Sequence, residues 1–199
     1  MSRVLGSLVV ALACVPAAGS AQINIPAPHR QGFFLGGGLG YGATRLSCDI
    51  CVTEGSRIGG MSGYLRAGYT VTPVLLLGAE FDAWGGRADP ETAADTTVSR
   101  FMASFFAVGY WYPSTRMGLY LKAGAGLVSW RADGGTLTAS AMGGTLGAGF
   151  EIPVGRRVSL LPFVNYLDTA NGDLTLDGSR VLGPASISMW QVGIGATWN

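Results

Sequence analysis

Charge is scarce in this sequence. Only 13% of its 199 residues are Asp, Glu, Lys or Arg, and the formal net charge is +1. Without a basic excess there is no electrostatic footprint for nucleic acid, which demands a clustered patch of Lys and Arg. Long apolar runs are missing too. Beyond the first two dozen residues, nothing approaches the ~20 apolar residues that a membrane-spanning helix needs. Histidine is reduced to His29, so imidazole-based catalysis has a single candidate. Cysteine is limited to Cys14, Cys48 and Cys51, too few for a disulfide-framed scaffold.

Glycine, at 32 residues, and apolar side chains, at 48%, are what the chain has in plenty. Its mean hydropathy of +0.34 is high for a water-soluble domain. A hydrophobic chain without a spanning helix, rich in Gly and aromatics, fits a membrane β-barrel, where apolar content is spread over alternate positions. The length suits one domain.

The N-terminus, MSRVLGSLVVALACVPAAGSAQ, carries Arg3, an apolar stretch over 4–15 and small residues ending in Gly19 and Ala21. This order is that of a secretory signal peptide over residues 1–21. The stretch is short for a membrane anchor, and Ala11-Leu12-Ala13-Cys14 is a poor lipidation motif. Removal of the signal leaves Cys48 and Cys51. Cleavage after Ala21 is the expected outcome, and intact-mass measurement of membrane-extracted protein checks it: a mature chain starting at Gln22 agrees, and a retained 1–21 segment contradicts it.

After a periplasmic lead-in over 22–32, strand-like segments are expected at 33–43, 58–70, 74–86, 97–112, 117–130, 140–153, 157–168 and 187–198. The gaps 71–73, 113–116 and 154–156 hold Pro or Gly and read as tight turns. The gaps 44–57, 87–96, 131–139 and 169–186 are longer and polar. Short and long connections alternate, as in barrels with short periplasmic turns and long outer loops.

Alternation within each segment separates two faces. One set contains Phe33, Leu35, Leu39, Leu65, Leu77, Phe81, Phe105, Leu121, Leu146, Val164, Val192 and Ile194, with no charge in it. The other holds Arg66, Glu80, Asp82, Arg100, Lys122, Glu151, Asn165 and Gln191, with many glycines between them. A soluble sandwich would carry Lys and Glu freely on its wet face. Here the polar face is sparse and balanced, with three acids and three bases, which suits the narrow interior of an eight-stranded barrel. These six charged residues are the expected lumen ion-pair network. Turn centres read from composition set Arg66 diagonal to Glu80, Asp82 opposite Arg100, and Lys122 across from Glu151, within reach on one face.

Trp and Tyr concentrate at membrane interfaces. Tyr69, Tyr110, Trp111, Tyr112 and Trp198 fall at the short-turn end, and Tyr41, Trp84, Trp130 and Trp190 at the long-loop end. Tyr41, Tyr69, Trp84, Trp111, Trp130, Trp190 and Trp198 are the expected interface aromatics.

With its signal peptide, eight alternating segments, GxG-rich walls and a last strand ending near an aromatic, the chain resembles the OmpA/OmpX-like small outer-membrane β-barrels over residues 33–198. The resemblance implies an eight-stranded antiparallel up-and-down transmembrane barrel (33–199) in the bacterial outer membrane. Such families usually end on the aromatic that the barrel-assembly machinery reads, whereas here Trp198 is followed by Asn199. Pro162 also departs from the pattern and predicts a bulge or break, because it cannot give a ladder hydrogen bond. Outer-membrane lipid and lipopolysaccharide, the assembly machinery and an unidentified extracellular ligand are the implied partners of a monomer.

In an oxidising envelope Cys48 and Cys51 are expected to pair in the first long loop. A metal reading of the same pair lacks two ligands, and a redox reading lacks a βαβ setting. Gly38–Ala43 matches a GxGxxA fingerprint, but no helix opens on it. Asp173–Gly178 echoes a calcium loop whose bidentate Glu is missing. No catalytic, metal or cofactor residue emerges. The expected function is therefore a barrel with a plugged lumen, acting through its outer loops. A passive narrow channel is the alternative. A lipid-modifying enzyme using His29 comes third, and unchanged lipid A acylation in His29→Ala would remove it.

Overall fold

The computed structural model describes residues 30–48, 57–88, 98–132, 137–170, 172–176 and 179–199. The strands are β1 (Phe33–Cys48), β2 (Ile58–Thr72), β3 (Leu75–Ala88), β4 (Val98–Trp111), β5 (Leu119–Ala132), β6 (Leu137–Phe150), β7 (Ile152–Pro153), β8 (Val158–Thr169), β9 (Gly172–Leu176) and β10 (Ser179–Trp198). β1 to β6 pair antiparallel in chain order, β8 and β9 both pair with β6 and β10, and β1 pairs with β10, which closes the sheet on itself. Two of the walls are interrupted. β9 continues β8, since both lie between β6 and β10. β7 continues β6 along β8. The ring therefore has eight walls, and closure leaves no open sheet edge in the membrane.

The interruption after β6 has a visible cause. Gly149 pairs with Phe163 and Ile152 with Leu160, so the register passes through with no inserted residue. The gap between them faces Pro162 and Leu161, and proline has no N–H for the ladder. Pro162 itself stays in register with Ile194 on β10. The irregularity expected at Pro162 is thus a break in the facing strand, not a bulge.

Alternation sets the two faces as expected. Phe33, Leu35, Leu39, Leu65, Phe105, Leu127, Leu146, Val192 and Ile194 lie exposed on the outside. Arg66, Glu80, Asp82, Lys122, Glu151, Asn165 and Gln191 are buried on the inside. Inward glycines make room for large neighbours. A Cβ at Gly149 would stand 2.7 Å from Tyr120 Cε1, and one at Gly68 would stand 2.7 Å from Phe34 Cε1.

The long connections are shorter than composition suggests. β1, β3 and β5 run on to Cys48, Ala88 and Ala132, and much of 169–186 is β9 and β10. Ser, Thr and Gly read as loop residues, yet backbone pairing accepts them. A 14-residue strand spans about 46 Å, which at a tilt of ~40° is about 35 Å of height against an apolar band of ~25 Å. The extra wall lies at the long-connection end, here called the upper end. Above Tyr41, Leu127 and Trp190 the outward positions turn polar: Arg45, Ser47, Arg87, Ser99, Ser129 and Arg131.

Candidate functional site

The interior is the place where this sequence puts its unusual chemistry. Period-two alternation carries the even-numbered residues from Ser62 to Thr70, Leu76 to Gly86, Arg100 to Tyr110 and Tyr120 to Ala132 inward, so charged and aromatic side chains of four walls converge.

At the lower, short-turn end, Arg30 Nε donates to Glu151 Oε2 at 2.9 Å. The Arg30 guanidinium lies 3.6 Å from the Tyr112 ring centroid and donates to the Met117 carbonyl at 3.2 Å. Asn199 Nδ2 reaches the other Glu151 oxygen at 3.4 Å. The lead-in, the C-terminus, the β4–β5 turn and the break after β6 meet at this one carboxylate. Glu151 N–H meanwhile bonds the Gly118 carbonyl at 2.8 Å, which prolongs the β5–β6 ladder past the break.

One tier higher, Glu80 takes both Lys122 Nζ and the Tyr110 hydroxyl, the latter at 2.8 Å. Arg66 faces Glu80 across the β2–β3 pair. It stacks among rings, 4.8 Å from Tyr110, 5.6 Å from Tyr120 and 5.7 Å from Phe34. Cation–π contact of this kind is favoured where the guanidinium is desolvated. Asp82 accepts from Ser104 Oγ at 3.3 Å. Two cations, Arg66 and Lys122, so match two carboxylates, Glu80 and Asp82. On the opposite wall Asn165 Nδ2 donates to Gln191 Oε1 at 3.0 Å.

The upper tier is apolar. Trp84, Trp130, Met102, Ile187 and Met189 belong to one buried cluster. Trp84 Nε1 donates to the Gly42 carbonyl at 3.0 Å, reaching from β3 to β1.

The expected partners require correction. Arg66 is directly opposite Glu80, not diagonal to it. Asp82 faces Ser104, and Arg100 faces Gly86. Arg100 is half-buried at the upper end over Trp130, 5.8 Å from its ring centroid. Lys122 faces Gly147 and pairs with Glu80, leaving Glu151 to Arg30. The turns centre one to two residues from where composition put them, so the partners slip by two to four residues. Each slip is even, so every side chain keeps its face and changes its partner.

The aromatic belt is corrected as well. Tyr41, Tyr69, Trp111, Trp190 and Trp198 lie exposed on the outer wall. Trp84 and Trp130, at 1% and 2% exposure, point into the lumen, as do Tyr110 and Tyr112. All four share the parity of the polar face, which their position near strand ends had masked. Tyr64, Tyr120 and Ser104 carry the same parity signal. Arg30 lies before the first alternating segment, so no pattern marks it. Of the cysteine pair, Cys48 ends β1 and Cys51 lies outside the described residues, as does His29. No helix among the described residues is long and apolar enough to cross a membrane, which says nothing of spanning strands.

Comparison with known proteins agrees with this architecture. The model of the family described as outer membrane protein beta-barrel domain matches residues 6–197. The crystal structure of Neisserial surface protein A is similar, with 16% identity and a TM-score of 0.55, covering 84% of this chain and 97% of that one. Outer membrane protein AlkL, solved in lipid bilayers, is similar at 14% identity and a TM-score of 0.50, covering 87% and 92%. At these identities the likeness concerns the fold alone. No curated protein matches the sequence.

Proposed function

The chain belongs to the family of outer membrane protein β-barrel domains and resides in the bacterial outer membrane; from that membership we propose that it is a closed barrel acting through its upper, cell-exterior end. One observation carries this reading: side chains fill the interior at successive heights. Met102 in the upper tier, Phe106 opposite Glu80 and Leu161 opposite the break at Glu151 all have 0% exposure. The Glu80–Lys122 pair fills the middle and the Arg30–Glu151 pair the floor. An eight-stranded barrel is just wide enough for its side chains to fill, and here those side chains include the buried indoles of Trp84 and Trp130 and paired charges whose removal from one another is unfavourable.

With the interior occupied, the parts left to meet partners are the polar wall above the apolar band and the connections joined to it. The reading assigns no catalytic residue and no cofactor.

Purified protein in a planar lipid bilayer is expected to give no steady conductance steps at moderate voltage. Steady ohmic conductance of the wild type would replace the closed-barrel reading with the narrow-channel one.

A further inference from the structure

Among the strand positions whose side chains are described, the outward-facing cations are Arg45, Arg87 and Arg131, and all three lie just above the apolar band. Two of them are neighbours. Arg87 sits opposite Ser99 on one side of β4, and Arg131 sits opposite Phe101 on the other. Ser99 and Phe101 are two apart and share the outer face, so two guanidinium groups flank one strand, on strands about 10 Å apart. Neither forms an ion pair with a described residue. The outward acids Asp168 and Asp173 stand on β8 and β9, on another part of the ring.

Beside this pair the wall is hollow. A cleft of about 800 Å³ has Gly85 and Gly86 in its floor, Met61 and Phe101 as apolar walls, Arg87 and Arg131 on its rim, and the half-buried Arg100 also in its lining. A Cβ placed at Gly85 would meet no heavy atom within 4 Å. The volume lies in the range of small-ligand sites, ~300–1,000 Å³.

We propose that this cleft holds a phosphorylated glycolipid of the outer leaflet, with an acyl chain against Met61, Phe101 and the glycine floor and a headgroup phosphate between Arg87 and Arg131. The level is right for it: the apolar walls belong to the top of the lipid-facing band, and the arginines stand where headgroups begin. The chemistry is right as well. Guanidinium forks match phosphate oxygens bidentately, and an apolar groove roofed by two cations selects a ligand with an anionic head and an apolar tail. A second copy of the same face would bring cation against cation.

The test uses full-length protein in lipid nanodiscs with diphosphoryl lipid A as the probe, read by native mass spectrometry. Wild type is expected to retain the lipid, and Arg87→Ala/Arg131→Ala to weaken retention by about tenfold or more, as loss of charge-assisted hydrogen bonds implies. Gly85→Leu, which fills the groove without touching charge, is expected to weaken it too. Arg116→Ala/Arg156→Ala, in the lower turns, is expected to leave it unchanged. Three results would overturn the proposal: lipid A stripped of its phosphates binds as tightly as the diphosphoryl form; phosphatidylglycerol competes equally, which would mean a general anionic surface; or both the arginine and Gly85 variants bind like wild type. If the arginine variant does not fold by heat-shift electrophoresis, the dephosphorylated probe and Gly85→Leu still decide. The cleft is on the outer wall, so its failure leaves the closed-barrel reading intact, and conductance by the wild type leaves the cleft intact.

Discussion

Glu80→Ala is expected to lower the unfolding free energy by about 3–5 kcal/mol, the size typical of breaking a buried ion pair from one side. Glu80 has the Lys122 ammonium on one oxygen and the Tyr110 hydroxyl on the other. Its removal leaves Lys122 and Arg66 with Asp82 as the only carboxylate in their tier, and it strands a buried phenol donor. Lys122→Ala should be milder, because Glu80 keeps Tyr110 and still faces Arg66 across the strand pair. The double variant Glu80→Ala/Lys122→Ala should recover much of the loss, since removing a whole pair can be near neutral. Equilibrium urea unfolding in lipid vesicles measures all three. A Glu80→Ala protein as stable as wild type would show that the carboxylate is not paired in the lumen. Equal loss in the single and double variants would show that Lys122 is not its partner.

This choice of Lys122 over Arg66 marks where sequence reasoning ends. Alternation carries the faces of all eight walls, because a side chain's face depends only on parity. Register depends on where each turn is centred, and composition locates a turn only to within a few residues. A slip of two leaves the parity of Glu80 unchanged and moves Arg66 from a diagonal to a direct neighbour. A slip of four separates Asp82 from Arg100 altogether. Shear then brings in partners two strands away: Glu80 on β3 meets Lys122 on β5, a contact that no reading of adjacent strands would find. Arg30 is further out of reach, since it comes from a segment without periodicity and finds Glu151 through the closure of the barrel floor.

Wall height escapes composition for a different reason. Segments such as Thr44–Cys48 and Ser186–Ser188 are polar on the outward side, and in a sequence such polarity reads as loop. Outside the lipid, however, a strand needs only a paired backbone. Its outward residues meet water, so nothing requires them to be apolar. The change from Tyr41 to Arg45 and from Leu127 to Arg131 along single strands is the edge of the membrane, not the end of the sheet.

Trp84 concentrates these lessons and carries the second large expectation. As a belt residue it would tolerate truncation; as a lumen residue it should not. Its indole N–H reaches the Gly42 carbonyl at 3.0 Å, and its ring so closely overlies β1 that a Cβ at Gly42 would stand 2.9 Å from its Cδ1. Trp84→Ala therefore empties the upper tier and should cost about 3–5 kcal/mol, as for other buried Trp truncations. Trp190→Ala removes an exposed ring packed at a tilt against Tyr166, centroids 4.6 Å apart, and should cost nearer 1 kcal/mol, the scale of one aromatic pair. Unfolding of the two variants side by side separates lumen from belt, and equal losses would put Trp84 back on the outside. The same variant probes how closure is built. The tiers lie in series, so emptying the upper one leaves the Arg66–Glu80–Lys122 tier and the Arg30–Glu151 floor across the path. Trp84→Ala should therefore be unstable yet non-conducting. If it conducts steadily, the lower tiers do not close the lumen and the indole was the barrier; if it conducts only when combined with Glu80→Ala, the charged tier is the second gate in the path.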